Sequence, residues 1–189
     1  MDQYIALLRG INVGGNNIIK MADLRECLEG IGLKDIRTYI QSGNVIFAAP
    51  KHDILDLTQK IERLLTKKFS YASRVLLLSE SLFKQVIHNA PKNFGKEPEK
   101  YRYDVIYLIE PLTAKAALQA ITLTKGVDTV DSSTHALYFS RLISKAPQSC
   151  LLKIMSLALF KNTTVRNWNT TTKLLQMLDD SILPMHPTL

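Results

Sequence analysis

YIALLRGINVGGNNIIKMADLRECLEGIGLKDIRTYIQSGNVIFAAP, residues 4–50, decides the fold class. Tyr4 to Leu8 is a short apolar run closed by Arg9 and Gly10, the pattern of a buried strand. From Met21 the apolar positions Met21, Leu24, Cys27, Leu28 and Ile31 recur at helical spacing. Asp23 and Glu26 lie early in that stretch, where carboxylates complement the helix dipole, and Gly30 and Gly32 supply a stop. Residues 35–40 (DIRTYI) and 44–48 (NVIFA) are rich in strand formers and are separated by Gln41-Ser42-Gly43, a hairpin signal closed by Pro50.

Further along, residues 53–69 place Ile54, Leu57, Ile61, Leu64, Leu65 and Phe69 on one face of an amphipathic helix, with Lys60, Arg63, Lys67 and Lys68 outside it. Residues 72–78 (ASRVLLL) read as a strand. The order β-α-β-β-α-β is the ferredoxin-like plan, a four-stranded antiparallel sheet with both crossover helices on one face. A helix over 79–90 follows, and residues 90–100 (APKNFGKEPEK) form a Pro-, Gly- and Lys-rich linker. The order then repeats: strand 103–109, helix 113–123, strands 127–131 and 136–141, helix 151–160, strand 163–166 and a closing helix 169–178. The expected architecture is α+β with two consecutive ferredoxin-like units. Residues 1–90 make a first lobe with a trailing helix, 91–100 a linker, and 101–189 a second lobe with a C-terminal helix.

Among the 189 residues 46% are hydrophobic and 22% charged, enough apolar surface for a core and unlike a disordered chain. The opening MDQYIALLRG lacks the charge pattern of a signal peptide, and no run approaches the ~20 apolar residues of a membrane span. The most apolar stretch, Cys150 to Phe160, contains Lys153 and reads as a buried core helix. A cytoplasmic protein without a membrane partner is expected. Cys27 and Cys150 occupy apolar positions and read as structural.

The formal net charge is +7, shared evenly between the halves. One asymmetry stands out: no carboxylate side chain lies between Asp131 and Asp179, whereas Arg141, Lys145, Lys153, Lys161, Arg166 and Lys173 do. Such a stretch attracts anions, or equally is a solvated surface.

Polar chemistry concentrates in three segments. The first runs from Arg9 through Gly10, Asn12, Gly14, Gly15, Asn16 and Asn17 to Lys20. Glycines and successive N–H groups before a helix suit an anion, although the spacing is neither GxGxxG nor a P-loop. A tight turn that lets the helix pack on the sheet explains it as well. The second is Gln41-Ser42-Gly43-Asn44, ordinary hairpin chemistry, expected at the opposite end of the sheet from the first. The third is TTVRNWNTTTK, residues 163–173. Asn167 or Asn169 can cap the last helix, Arg166 and Lys173 flank its start, and Trp168 either stacks on a ring or, as we favour, anchors the helix.

His52, His88, His135 and His186 have no metal-ligand spacing, and HExxH, CxxC and GxSxG do not occur. No catalytic residue is assigned, and neither a metal nor a cofactor is expected.

The blocks YIALLRGINVGGNNIIKMADLR, YIQSGNVIF and TTVRNWNTTTKL together resemble the bacterial domain of unknown function 1697 family. That resemblance implies a duplicated ferredoxin-like architecture, a cytoplasmic setting and no established activity. Its matching positions are Arg9, Gly10, Asn12, Gly14, Gly15, Lys20, Gln41, Ser42, Gly43, Asn44, Arg166, Asn167, Trp168, Asn169, Thr170 and Lys173, the same polar segments. The expected function is a binding module for an anionic small molecule, a nucleotide or phosphorylated metabolite, near the lobe interface. RNA or single-stranded DNA binding is one alternative. The other is an enzyme with an inter-lobe site, in which Arg9 and Arg166 clamp an anion.

Overall fold

The computed structural model describes residues 1–12, 17–161 and 163–180. Gly14, Gly15 and Asn16 of the first polar segment lie outside the described residues. The chain forms two units, residues 1–84 with the chain from 173 onward, and residues 85–172.

In the first unit the elements are β1 (Asp2–Arg9), α1 (Met21–Glu29), β2 (Lys34–Tyr39), β3 (Asn44–Ala49), α2 (Ile54–Phe69) and β4 (Arg74–Ser79). The sheet is antiparallel in the order β2-β3-β1-β4, the ferredoxin-like arrangement. Tyr4, Ala6 and Leu8 alternate onto one face and join Val45, Phe47, Val75 and Leu77 in a core closed by Leu24 and Leu28 of α1 and Leu57, Ile61 and Leu65 of α2. Each of those α2 side chains contributes ~1.5–3 kcal/mol of burial. Asp53 caps α2 by accepting from the backbone N–H groups of Leu55 and Asp56. Ile5, Leu7, Ile46, Leu76 and Leu78 point to the other face and are equally buried. Two covered faces explain why residues 4–8 read as a continuous apolar run rather than an alternation.

The second unit repeats the order with β5 (Tyr101–Tyr107), α4 (Ala114–Gln119), β6 (Asp128–Ser133), β7 (Ala136–Leu142), α5 (Leu151–Ser156) and β8 (Thr164–Asn167), its sheet running β6-β7-β5-β8. Ile106, Leu137 and Phe139 pack with Ala117, Leu151, Ile154 and Phe160. The unit boundary falls within the two remaining helices, α3 (Glu80–His88) and α6 (Trp168–Asp180). The later part of α6 is tied into the first unit. The Arg37 guanidinium donates to the Met177 carbonyl, and Lys84 bridges Asp179 at 2.8 Å.

The structure departs from expectation in three places. The helix expected over 151–160 stops at Ser156, Leu157 is extended, and Ala158–Phe160 forms one 3-10 turn. The Leu157 N–H bonds the Ile154 carbonyl three residues back at 3.1 Å, and the Ser156 hydroxyl donates to the Lys153 carbonyl at 2.7 Å. Leu151, Ile154 and Phe160 are buried as expected, but Leu152 is 81% exposed. The helix expected to reach Leu123 ends at Gln119, and the chain from 124 is instead tied to Asp128, which accepts from the Thr124 N–H.

The third departure concerns the hairpin, which does not lie opposite the β1–α1 loop. β3 sits between β1 and β2 and runs antiparallel to both, so β1 and β2 are parallel and finish at the same end. Leu7 faces Asn44, and the Leu8 N–H donates to the Gly43 carbonyl at 2.8 Å.

Candidate functional site

At the shared end of β1 and β2 the first two polar segments meet. Gly43 has φ +74, and a Cβ there would lie 2.6 Å from Leu8 Cβ, so only glycine allows the hairpin to close against β1. Asn12 donates to the carbonyls of Ile19 and Gln41 and accepts from the Ile19 N–H. Asn17 donates to the Gly10 carbonyl at 2.7 Å. Asn44 is fully buried and donates to the Tyr39 carbonyl and the Ser42 hydroxyl. The amides are thus engaged in holding the two loops together. Lys20 and Gln41 are exposed at the same end, while Arg9 and Ser42 are half-buried. Lys20 precedes α1 without a side-chain cap.

The third segment builds a concavity in the second unit. β8 pairs with β5 only from Asp104, which faces Asn167, to Tyr107, which faces Thr164. Tyr101–Tyr103 therefore extend past the point where the chain leaves β8 and turns into α6. The step makes a cleft of about 200 Å³ lined by Tyr101, Arg102 and Tyr103 of β5, Asn167, Trp168 and Asn169, with Pro98 and Ile143 at its rim. Asn167 caps α6, its Oδ1 accepting from the Asn169 N–H at 2.9 Å. Trp168 meets Phe94 edge-on with ring centres 5.1 Å apart, so it is a wall of the cleft and an anchor of the helix. Arg166 is not among the lining residues. Its guanidinium donates to the Thr164 hydroxyl and the Val165 carbonyl, and burial pushes it down to about 10, leaving it cationic at neutral pH. Lys173 donates to Gln176 at 2.9 Å.

Arg102 is an exposed lining residue of the cleft, and strand alternation turns its side chain to the sheet face opposite to Tyr101 and Tyr103. Beside it on the same face Arg141, its cross-strand neighbour, pairs with Asp104 at 3.1 Å. Burial pushes the Asp104 carboxyl above its ordinary range, against the pull of Arg141 and Arg102. Asp128 moves the other way: burial pushes it up, but the Cys150 N–H and neighbouring donors hold it below its usual value. Burial raises both thiols, consistent with packed rather than reactive cysteines.

Sequence reasoning missed Tyr101, Arg102, Tyr103 and Phe94. The period-two repeat Tyr101-Arg102-Tyr103 was the available signal, since it puts both rings on one face. That face is tyrosine-rich, but Tyr103, Tyr107, Tyr138 and the covering Phe94 are all buried, leaving half-buried Tyr101 as the accessible ring. Among the described residues no group of three His, Cys, Asp or Glu could hold a metal ion, and no helix is long and apolar enough to cross a membrane.

The sequence model of a family described as "Protein of unknown function (DUF1697)" matches residues 1–138. The chain is also similar to the conserved bacterial protein SP0830 from Streptococcus pneumoniae. The two share 26% identity and superpose with a TM-score of 0.80 over 94% of this chain and 98% of that one. No curated protein matches the chain.

Proposed function

The chain belongs to the DUF1697 family, which brings no assigned activity, and we propose that it is a binding module for an anionic small molecule held in the cleft at the start of α6. The ligand class is a nucleotide or a phosphorylated metabolite. The observation that carries the reading is a concavity at the uncovered edge of β5 whose lining brings together Arg102, Asn167, Asn169, Trp168 and Tyr101. An arginine offers a planar fork of donors to phosphate oxygens, and asparagine carboxamides add neutral donors. A cleft of about 200 Å³ is smaller than the ~300–1,000 Å³ of most ligand pockets and takes one part of such a ligand.

The Arg9–Lys20 loop and the hairpin tip support the reading less. Asn12, Asn17 and Asn44 there spend their amides on internal bonds.

The test is thermal unfolding of the full chain against inorganic phosphate, ribose 5-phosphate and a nucleotide panel. Ligand at 100 times its Kd adds ~2.7 kcal/mol, a shift readily measured. Stabilisation by at least one phosphate that Arg102→Ala abolishes supports the site. No shift with any of them, or a shift that Arg102→Ala leaves intact, overturns it.

A further inference from the structure

We infer that the open edge of β6 takes an extended peptide segment with basic side chains at alternate positions. The segment adds as a further antiparallel strand to the second sheet and turns those side chains toward Asp131. This surface lies at the opposite edge of the sheet from β8 and does not depend on the proposed anion site.

β6 pairs with β7 alone. The Leu142 N–H donates to the Val127 carbonyl at 2.9 Å, and the register runs on without a shift: Thr129 faces Ser140, Asp131 faces Tyr138 and Ser133 faces Ala136. Antiparallel alternation therefore turns the N–H and C=O groups of Thr129, Asp131 and Ser133 toward β7, and those of Asp128, Val130 and Ser132 outward. The Asp128 N–H donates to the Thr124 carbonyl at 3.0 Å. Val130 and Ser132 have no backbone partner on the outer side among the described residues. A row of this kind is a template for another strand. The outer strand β2 of the first unit is blunted by a register shift between Lys34 and Arg37 and by left-handed backbone at Asp35, φ 51. β6 has no shift, no proline and no lysine.

Charge selects the occupant. Residues of an added strand that face Thr129 and Asp131 project to the same side of the sheet as those two side chains. There Thr129 and Asp131, both exposed, line a cleft of about 190 Å³ with Ser140, Tyr101 and Phe94. Asp131 is its one charged lining residue among the described residues. Lys100, whose ammonium stands 5.1 Å from the centre of the Tyr101 ring, precedes β5, two strands away from β6, and is paired with Glu97 at 3.8 Å. A lysine or arginine opposite Asp131 thus meets a carboxylate, with rings beside it to cover its aliphatic stem. A second copy of this chain fits the edge worse. β6 reads Asp-Thr-Val-Asp-Ser-Ser, with carboxylates and no cation, so self-pairing sets like charges together.

The test is titration of the full chain with the peptide acetyl-Thr-Lys-Val-Lys-Thr-amide, whose central valine faces Val130 while its lysines face Thr129 and Asp131. The same peptide with glutamates for lysines should bind about fivefold more weakly, the upper range for a cross-strand charge pair. The chain's net charge of +7 favours the acidic peptide, so this preference is local. Asp131→Asn, at an exposed position, should bring the two peptides close to equal. N-methylation of the central valine removes one main-chain donor and should weaken the lysine peptide about fivefold. In amide hydrogen exchange the lysine peptide should slow Val130 and Ser132. An acidic peptide that binds as well, a peptide ratio that Asp131→Asn leaves unchanged, an N-methyl peptide that binds undiminished, or no binding by any of them overturns the inference. So does protection of Val130 and Ser132 that rises with the concentration of the chain alone, which makes a second copy the occupant.

Discussion

The Asn12 side-chain amide donates to the backbone carbonyl of Gln41 at 2.6 Å, joining the loop after β1 to the tip of the β2–β3 hairpin. The same side chain clasps Ile19 through two further bonds, of 3.0 and 2.8 Å. Its backbone is left-handed, with φ 52, which asparagine tolerates better than most residues. Asn12→Ala removes all three bonds and leaves a less tolerant residue in that conformation. It should cost ~2–3 kcal/mol, read as a lower urea midpoint at unchanged slope. A cost within ~0.5 kcal/mol, the size of an ordinary surface substitution, would show that solvent replaces the clasp.

Gly95 and Trp168 are as closely fitted in the second unit. Gly95 has φ +87, and a Cβ there would overlap the Trp168 indole. Gly95→Ala should destabilise by ~1–3 kcal/mol through backbone strain and displacement of the ring. Trp168 is the only tryptophan, so its fluorescence reports the event directly. The emission should shift to the red as the indole leaves Phe94. An unchanged spectrum with wild-type stability would refute the close fit.

Asn167 gives a narrower test, because it caps α6 and lines the cleft at once. Asn167→Ala should cost ~1 kcal/mol in stability, the usual loss for a cap. Asn167→Asp keeps the acceptor and should restore most of that loss. It should weaken phosphate binding, because it sets a carboxylate beside the anion. Recovery of stability together with undiminished binding would remove Asn167 from the site.

The element order was legible because periodicity survives in each segment: Leu57, Ile61 and Leu65 mark a helix face whatever covers it. The convergence of the Asn12 loop and the hairpin follows from the ferredoxin-like plan, once strand directions are counted through β3. The expectation of opposite ends omitted that step. Other features were not legible for physical reasons. Phe94 lies in a stretch whose prolines, glycine and lysines read as solvent-exposed, yet it is only 8% exposed, because it packs on Tyr103 and on the far more distant Tyr138 and Trp168. The end of α5 lies in the extended backbone of Leu157, which a count of apolar positions does not register. Arg102 gains meaning only because the pairing of β8 stops at Asp104, two residues short of it.

Asp104 makes the sheet beneath the cleft sensitive to pH. Burial raises its folded carboxyl above the ordinary value of 3.8, so on raising pH the unfolded chain releases its proton first. Native stability from this group is therefore complete below 3.8 and declines as pH climbs from there through the raised value. Asp104→Asn has no such proton to lose. The urea midpoint of the variant relative to wild type should rise between pH 3.5 and 6.5. Asp128, held low in both proteins, cancels from the comparison. A difference that is flat or falls with pH would mean that the lost Arg141 ion pair outweighs the relief of burying a charge.

Ile40 follows β2 with φ 48 and is half exposed, an uncommon conformation for a β-branched side chain. Left-handed backbone costs ~1–2 kcal/mol in such a residue, and the ~20–33 cal/mol per Å² that burial would return is largely unclaimed by an exposed side chain. Asparagine tolerates the same dihedrals. Ile40→Asn should therefore raise stability by ~0.5–1 kcal/mol, measured as a higher urea midpoint. The gain should be absent in Ile40→Val, which keeps the branch at Cβ and hence the strain. Loss of stability in Ile40→Asn would instead show that the buried half of the side chain holds the hairpin tip in place.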